Sequence, residues 1–255
     1  MRIAVAGGTG VSGRQAVVAA EAAGHQVVTI SRSAGVDART GAGLAGALEG
    51  VEVIIDATNP PTIRRGAATA FFTQVTGRLQ SVGAAAGVSR LVTLSIVGLE
   101  RASGYGYYRA KLAHEAAALA GPLPATIVRA TQFHEFPAQI LARLAVGPLA
   151  AVPVMRIQPV AARSVGEVLV EVATGGSTAG AAVEIAGPEP EDLVDLARAI
   201  AHRRGTRTTV IPLPVPGSAG TAMRSGGLLP LPGVRLVGPT FDEWLAGADL
   251  SALFG

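Results

Sequence analysis

At 255 residues, with no cysteine and a formal net charge of only +3, the chain is long enough to bury a full α/β core, and disulfides and cysteine nucleophiles are excluded. Although 49% of the residues are apolar, no uninterrupted apolar run is long enough to span a bilayer, and the arginines are scattered rather than gathered into a stripe. Neither a membrane nor a nucleic-acid partner is expected, and the cytoplasm is the expected compartment.

The first 130 residues alternate short apolar runs with helical stretches, the pattern of a parallel sheet built from βαβ units. Ile3–Ala6 reads as a buried first strand rather than a signal peptide, because its apolar part is short and runs straight into glycines. A helix over Val11–Ala23 ends at Gly24, and Gln26–Ile30 is the second strand. The connection that follows is too short for a crossover helix and is expected as a loop, with Val36–Ala38 a brief third strand and Gly43–Leu48 a short helix. Val51–Asp56 is a further strand stopped by Asn59-Pro60-Pro61. A long helix from about Arg64 to Ala86 leads to the strand Arg90–Ser95, then a helix over Tyr107–Ala120 and a strand over Ala125–Ala130. Beyond it, Phe133–Ala145, Val165–Ala173 and Glu191–Arg203 read as helices, and Val152–Ile157 and Ala182–Ile185 as strands. The segment Ile211–Pro239 is rich in Pro and Gly and suits a lid or pocket wall. His202, Arg203, Arg204 and Arg207 cluster where a helix closes, a place that favours cations. No repeat or linker is visible. The expectation is one doubly wound, Rossmann-like domain over 1–255, with a nucleotide-binding core over about 1–130 and a small substrate-binding region over about 131–255.

Gly7-Gly8-Thr9-Gly10-Val11-Ser12-Gly13 sits where the first strand gives way to the first helix. The early glycines permit a tight turn, Gly10 lets backbone approach a pyrophosphate, and Gly13 lets the helix pack close to the sheet. NAD readers place an acid at the end of the second strand to bind the ribose 2′-hydroxyl. Here stand Ser31, Arg32 and Ser33, with Arg14 nearby, a set suited to a 2′-phosphate that a carboxylate would repel. NADP(H) is therefore the expected cofactor, with NAD(H) an alternative. Asp37 either accepts from the adenine amino group or caps the helix near Gly43. Ala57, Thr58 and Asn59, after the following strand, are further candidates for the cofactor wall.

The second constellation is Ser95, Tyr107 and Lys111. Tyr107 and Lys111 form Y-x-x-x-K, so phenol and amine share one helix face. A nearby ammonium favours phenolate and suits the tyrosine to general acid–base work. The chain holds 20 arginines and one lysine, Lys111, where an arginine would have served a merely solvated face. A purely binding role for Lys111 at the nicotinamide ribose stands beside the catalytic one. Ser95 ends a strand at the carboxyl edge of the sheet, where α/β sites form. Thr131 is placed to touch the carboxamide, and Arg129, Gln132 and His134 to line a substrate pocket, with a structural role the alternative for His134. The histidines show no metal-binding spacing and no G-x-S-x-G elbow appears, so no metal and no hydrolase are expected.

The glycine turn, Ser95 and the Tyr107/Lys111 pair resemble the short-chain dehydrogenase/reductase superfamily. The runs Leu94–Ala113 (LSIVGLERASGYGYYRAKLA) and Ile127–Phe136 (IVRATQFHEF) are similar to its atypical, NmrA-like branch. The resemblance implies a Rossmann core, Tyr107 as proton donor assisted by Lys111 and Ser95, and an NADPH-dependent reductase or dehydrogenase of a small carbonyl, enone or imine. A non-catalytic NADP(H)-sensing regulator and a redox-neutral isomerase or cyclase are the alternatives. The superfamily's asparagine on the helix before Ser95 is missing. Asn59 lies in a loop, leaving that position empty or held by a residue such as Gln74.

Overall fold

The computed structural model describes residues 1–175 and 182–251. The elements in chain order are β1 (Arg2–Ala6), α1 (Val11–Ala22), β2 (Gln26–Ile30), α2 (Leu44–Ala47), β3 (Val53–Asp56), α3 (Arg65–Ala85), β4 (Arg90–Ile96), α4 (Gly106–Leu119) and β5 (Ala125–Ala130). The second half adds α5 (Phe136–Leu144), β6 (Ala145–Val146), β7 (Leu149–Pro153), β8 (Arg156–Ile157), α6 (Ala162–Thr174), β9 (Ala182–Ala186) and β10 (Glu191–Asp192). It closes with α7 (Leu193–Arg203), β11 (Thr209–Leu213), α8 (Gly217–Arg224), β12 (Arg235–Leu236) and α9 (Phe241–Gly247). Seven strands form one Rossmann-like sheet in the order β12-β9-β5-β4-β3-β1-β2. The pairings of β1 with β2 and β3, and of β4 with β3 and β5, are parallel.

Backbone contacts divide the chain into two units. The first comprises Met1–Ile96, Gly106–Ala130 and Ala162–Glu184, and the second Val97–Tyr105, Thr131–Ala161 and Ile185–Gly255. In the first unit the chain leaves β1 for β2 on one side and returns to β3 on the other, so the strand order reverses at β1. Ligands of open α/β sheets bind at such a reversal, outside the carboxyl ends of the strands. Side chains alternate across the sheet with period two. Ala4, Ala6, Ile54, Leu91 and Ile127 therefore share a face, and they pack with Val75 and Leu79 of α3 and Ala118 of α4. The opposite face carries α1 and α6. These helices cross closely because position 166 is glycine: a Cβ there would lie 2.7 Å from the Ala16 amide nitrogen.

The expected brief strand at Val36–Ala38 does not form. Its backbone is consumed by local turns: Val36 N–H donates to Ser31 O, Asp37 N–H to Ala42 O, and Gly41 N–H to Asp37 O. Among the described residues β2 is thus the edge of the sheet. The expected strand over Val152–Ile157 is divided. β7 pairs with β6 and β11, and β8 pairs antiparallel with β10. The helix expected from Phe133 starts at Phe136, because Phe133 bridges Val160, with His134 N–H donating to Val160 O and Val160 N–H to Gln132 O.

In the second unit α5 and α7 pack on the small sheet containing β7, with Ala150, Val152 and Val210 buried between. The basic end of α7 holds His202 and Arg203 in its last turn, as the helix dipole favours. The Pro- and Gly-rich stretch begins within β11 and contains α8 and β12, and α9 follows behind a capping box between Thr240 and Glu243. No helix among the described residues is long and apolar enough to cross a membrane.

Candidate active site

The glycine turn lies against the carboxyl ends of β2 and β3. Gly7 has φ +76°, and a Cβ there would lie 2.8 Å from Ala57 O and 3.0 Å from Thr58 Cα. Only glycine adopts this conformation and this approach without strain. Gly7 N–H donates to Ile30 O, and Gly10 N–H to Gly7 O, which ties the turn to the end of β2. A Cβ on Gly13 would overlap the Gly7 carbonyl, whereas one on Gly10 would touch only Gly7 O, at 3.3 Å. Gly8 and Ser12 are buried, Val11 is half-buried, and Thr9 and Gly10 are exposed. The space beside Gly10 is open at the N-terminus of α1, which has no side-chain cap. First-turn amides without a cap, beside a glycine that keeps side chains out, form a cradle that fits a pyrophosphate.

Ser31, Arg32 and Ser33 stand on a single 3₁₀ turn after β2. Ser31 Oγ accepts from Ala34 N–H and lies 3.0 Å from Ser33 Oγ. Arg32 and Ser33 are exposed, and so is Arg14. Asp37 Oδ1 accepts from the amides of Arg39 and Thr40, at 2.8 and 3.3 Å. It therefore caps this turn and not the helix that follows.

On the other side of the turn, the Tyr107 hydroxyl donates to Asn59 Oδ1 at 2.7 Å. An asparagine does sit at the tyrosine, supplied by the loop after β3. Gln74 does not take that place; its Oε1 accepts from Arg39 Nε. Ser95, 2% exposed, has a hydroxyl with no hydrogen-bond partner. Thr93 pairs with Asp56 in the sheet, and Ser95, two residues on, shares that face. It is the face on which Asp56 meets α3 and α4. Buried hydroxyls are ordinarily satisfied, so Ser95 at the strand's carboxyl end is an unfilled donor and acceptor on the side of α4 and Tyr107.

Lys111 is 4% exposed. Its ammonium donates to Leu94 O at 2.7 Å and lies 2.9 Å from His114 Nδ1, with the Phe72 ring centroid at 4.7 Å. His114 Nε2 lies 3.0 Å from Asp56 Oδ2. Asp56 also accepts from Thr76 Oγ1, Thr58 Oγ1 and Thr58 N–H. Asp56 and His114 are both 0% exposed. Burial works against the Asp56 carboxylate, and the His114 ring and Thr58 donors more than offset it, holding the group below the usual carboxylate range. Burial and the Lys111 ammonium lower His114 against the pull of Asp56. Burial also draws Lys111 down to about 8, with Asp56 and then Glu115 resisting. Asp56 and His114 were not among the residues expected from sequence. Their signals are an acid ending an otherwise apolar strand and a histidine three residues past the sole lysine.

Arg129, expected at a substrate pocket, forks onto Glu115, with contacts of 2.9 and 2.6 Å, and also reaches Glu184 at 3.5 Å. The demand of the buried Glu115 for a partner accounts for this. In the second unit, Thr131 Oγ1 and both polar atoms of the Gln132 amide are buried without a partner. His134 is 0% exposed, with Nε2 3.1 Å from Pro239 O and its ring against Phe241 and Trp244. The ring thus packs in an aromatic cluster, while its Nδ1 is buried without a hydrogen-bond partner.

No family profile and no curated protein matches the chain. Solved structures do. A short-chain dehydrogenase/reductase superfamily protein from Agrobacterium tumefaciens, with NAD bound, superposes with a TM-score of 0.68 at 18% identity, over 99% of this chain and 97% of the other. The chain shares the Rossmann-like fold of that protein. A triphenylmethane reductase from Citrobacter sp., complexed with NADP(H), aligns over 100% and 99% of the two chains at TM-score 0.64 and 16% identity. A UDP-glucuronic acid 4-epimerase from Bacillus cereus, with NAD, aligns over 99% of each at 0.68 and 14%.

Proposed function

We propose that this protein is an NADP(H)-dependent oxidoreductase acting on a small organic carbonyl, enone or imine, with Tyr107, Lys111 and Ser95 as its catalytic residues. The observation that carries the reading is the buried, unpartnered Ser95 hydroxyl, on the sheet face that bears α4 and its Tyr107. A substrate carbonyl oxygen or imine nitrogen is the acceptor such a hydroxyl lacks, and the Tyr107 phenol is then the group that gives or takes the proton. The glycine cradle at 7–13, with 57–59 against it, holds the pyrophosphate, and Ser31, Arg32 and Ser33 take the 2′-phosphate. Lys111, one helical turn from Tyr107, supplies positive charge to the site. The bound nicotinamide supplies or accepts the hydride. Thr131 and Gln132, whose polar atoms are buried without partners, are the proposed ligand contacts in the second unit.

Among the structural neighbours, one is named a reductase and another a 4-epimerase, so a redox-neutral reaction on the same site is the second reading. NADPH oxidation followed across a panel of ketones, quinones, enones and imines separates them. The expected result is turnover with at least one member, reduced about 10²–10⁴-fold in Tyr107→Phe with cofactor affinity intact. Substrate conversion without net cofactor change would favour the redox-neutral reading. Wild-type turnover in Tyr107→Phe would remove the proton-donor role.

A further inference from the structure

We propose that Asp56 and His114 are positioning residues for Lys111: Asp56 fixes the His114 tautomer whose Nδ1 lone pair receives the ammonium, and supplies its counter-charge through the ring. The inference rests on the reading of Lys111 as a site residue given above. The geometry is a continuous buried chain, Asp56 Oδ2 to His114 Nε2 at 3.0 Å and His114 Nδ1 to Lys111 Nζ at 2.9 Å. An ammonium has only donors, so Nδ1 must be the acceptor, and the ring proton therefore sits on Nε2 facing the carboxylate. Phe72 stacks on the ring at a centroid separation of 4.4 Å, which leaves the imidazole one plane. Leu94 O takes a second ammonium proton, so Nζ is fixed from the strand side as well.

The carboxylate has a further use. An ammonium at 4% exposure is costly without an opposite charge near it. The charged and titratable groups around Lys111 are few. α4 offers His114, Glu115 and, one turn back, the Tyr107 phenol, β5 offers Arg129, β3 offers Asp56, and α3 presents the neutral Phe72 and Thr76. Glu115 is held by Arg129. Asp56 carries no arginine or lysine partner in its hydrogen-bond set and is the counter-ion by default. Three threonine donors, two of them from Thr58, keep it ionised and aimed.

Because Lys111 is the only lysine, protein labelled with ¹³C/¹⁵N-lysine gives a single side-chain signal whose titration can be followed by NMR without cofactor or substrate. Asp56→Asn should move the Lys111 midpoint down by about one unit or more, the usual effect of losing a close opposite charge. An unmoved midpoint would overturn the proposal. Should that variant fail to fold, the wild-type protein answers alone. Its ¹⁵N-histidine spectrum, assigned by comparison with His114→Gln, should show His114 neutral with Nε2 protonated at pH 7. A protonated Nδ1 would be equally fatal. In the turnover assay Asp56→Asn should lose rate at pH 8 and regain it as the pH falls below the new lysine midpoint, a recovery that a merely structural defect would not show. The NMR result stands whether or not Tyr107→Phe abolishes turnover, so the two readings can fail separately.

Discussion

Arg32 is exposed on the turn after β2, between Ser31 and Ser33 in sequence, where the proposed 2′-phosphate contact is to be tested. A charge-assisted hydrogen bond lost there costs about 1.5–3 kcal/mol. Arg32→Ala should accordingly weaken NADPH about ten- to a hundred-fold and leave NADH nearly unchanged, as read by calorimetric titration of both cofactors. Tighter binding of NADH than NADPH to the wild type would reverse the cofactor assignment. Lys111 makes a second prediction at this scale. Burial brings it from 10.5 to about 8, so between those values the unfolded chain binds a proton that the folded chain has shed. Stability therefore rises with pH across that window, and below it the buried ammonium is a standing cost. Relative to Lys111→Met, the wild type should gain on the order of 2–3 kcal/mol from pH 8 to 10.5 in urea unfolding. A flat difference would show that Lys111 is not a buried cation.

Local spacing and pairing across the fold differ in how far sequence reveals them. The glycine turn, Ser95 at a strand end and the Tyr107/Lys111 pair were legible because each is fixed within one turn of chain. The Asp56–His114 contact was not, since 58 residues separate its partners, and each residue alone has an ordinary reading. Most elements of the first 130 residues form close to where periodicity placed them. Val36–Ala38 failed because three residues cannot outbid the turns that consume their backbone groups. In the later segment α9 went unread although its capping box, Thr240 to Glu243, is a local signal. The glycines give a test at this scale. Gly13→Ala would force a Cβ onto the Gly7 carbonyl, whereas Gly10→Ala meets only a contact of 3.3 Å. Gly13→Ala should lose about 1–3 kcal/mol of stability. Gly10→Ala should melt like wild type yet bind cofactor poorly, in paired thermal and calorimetric measurements. Equal melting of both variants would contradict the close approach of α1 to the turn.

At the scale of the molecule, the buried Glu115 and the part-buried Arg129 join segments far apart in sequence. Arg129 of β5 holds Glu115 of α4 and reaches Glu184 of β9. Removing one member of such a pair leaves an uncompensated charge, at a cost of about 3–5 kcal/mol when fully buried. At 18% exposure of Arg129, the low end applies. Arg129→Met should lower the Tm by roughly 6–12 °C at about 2–4 °C per kcal/mol for a chain of this size. A change of a degree or less would show the fork to be solvated.

The aromatic cluster at His134 has an optical consequence. Trp244 is the sole tryptophan and packs at a tilt against His134 and Phe241 within the second unit. Intrinsic fluorescence excited at the red edge of the indole band is therefore the signal of one ring, and it reports the packing of that unit. Far-ultraviolet dichroism averages the helices of both units. Melting curves recorded by the two methods coincide if the units unfold as one cooperative body and separate if they do not, with no label introduced.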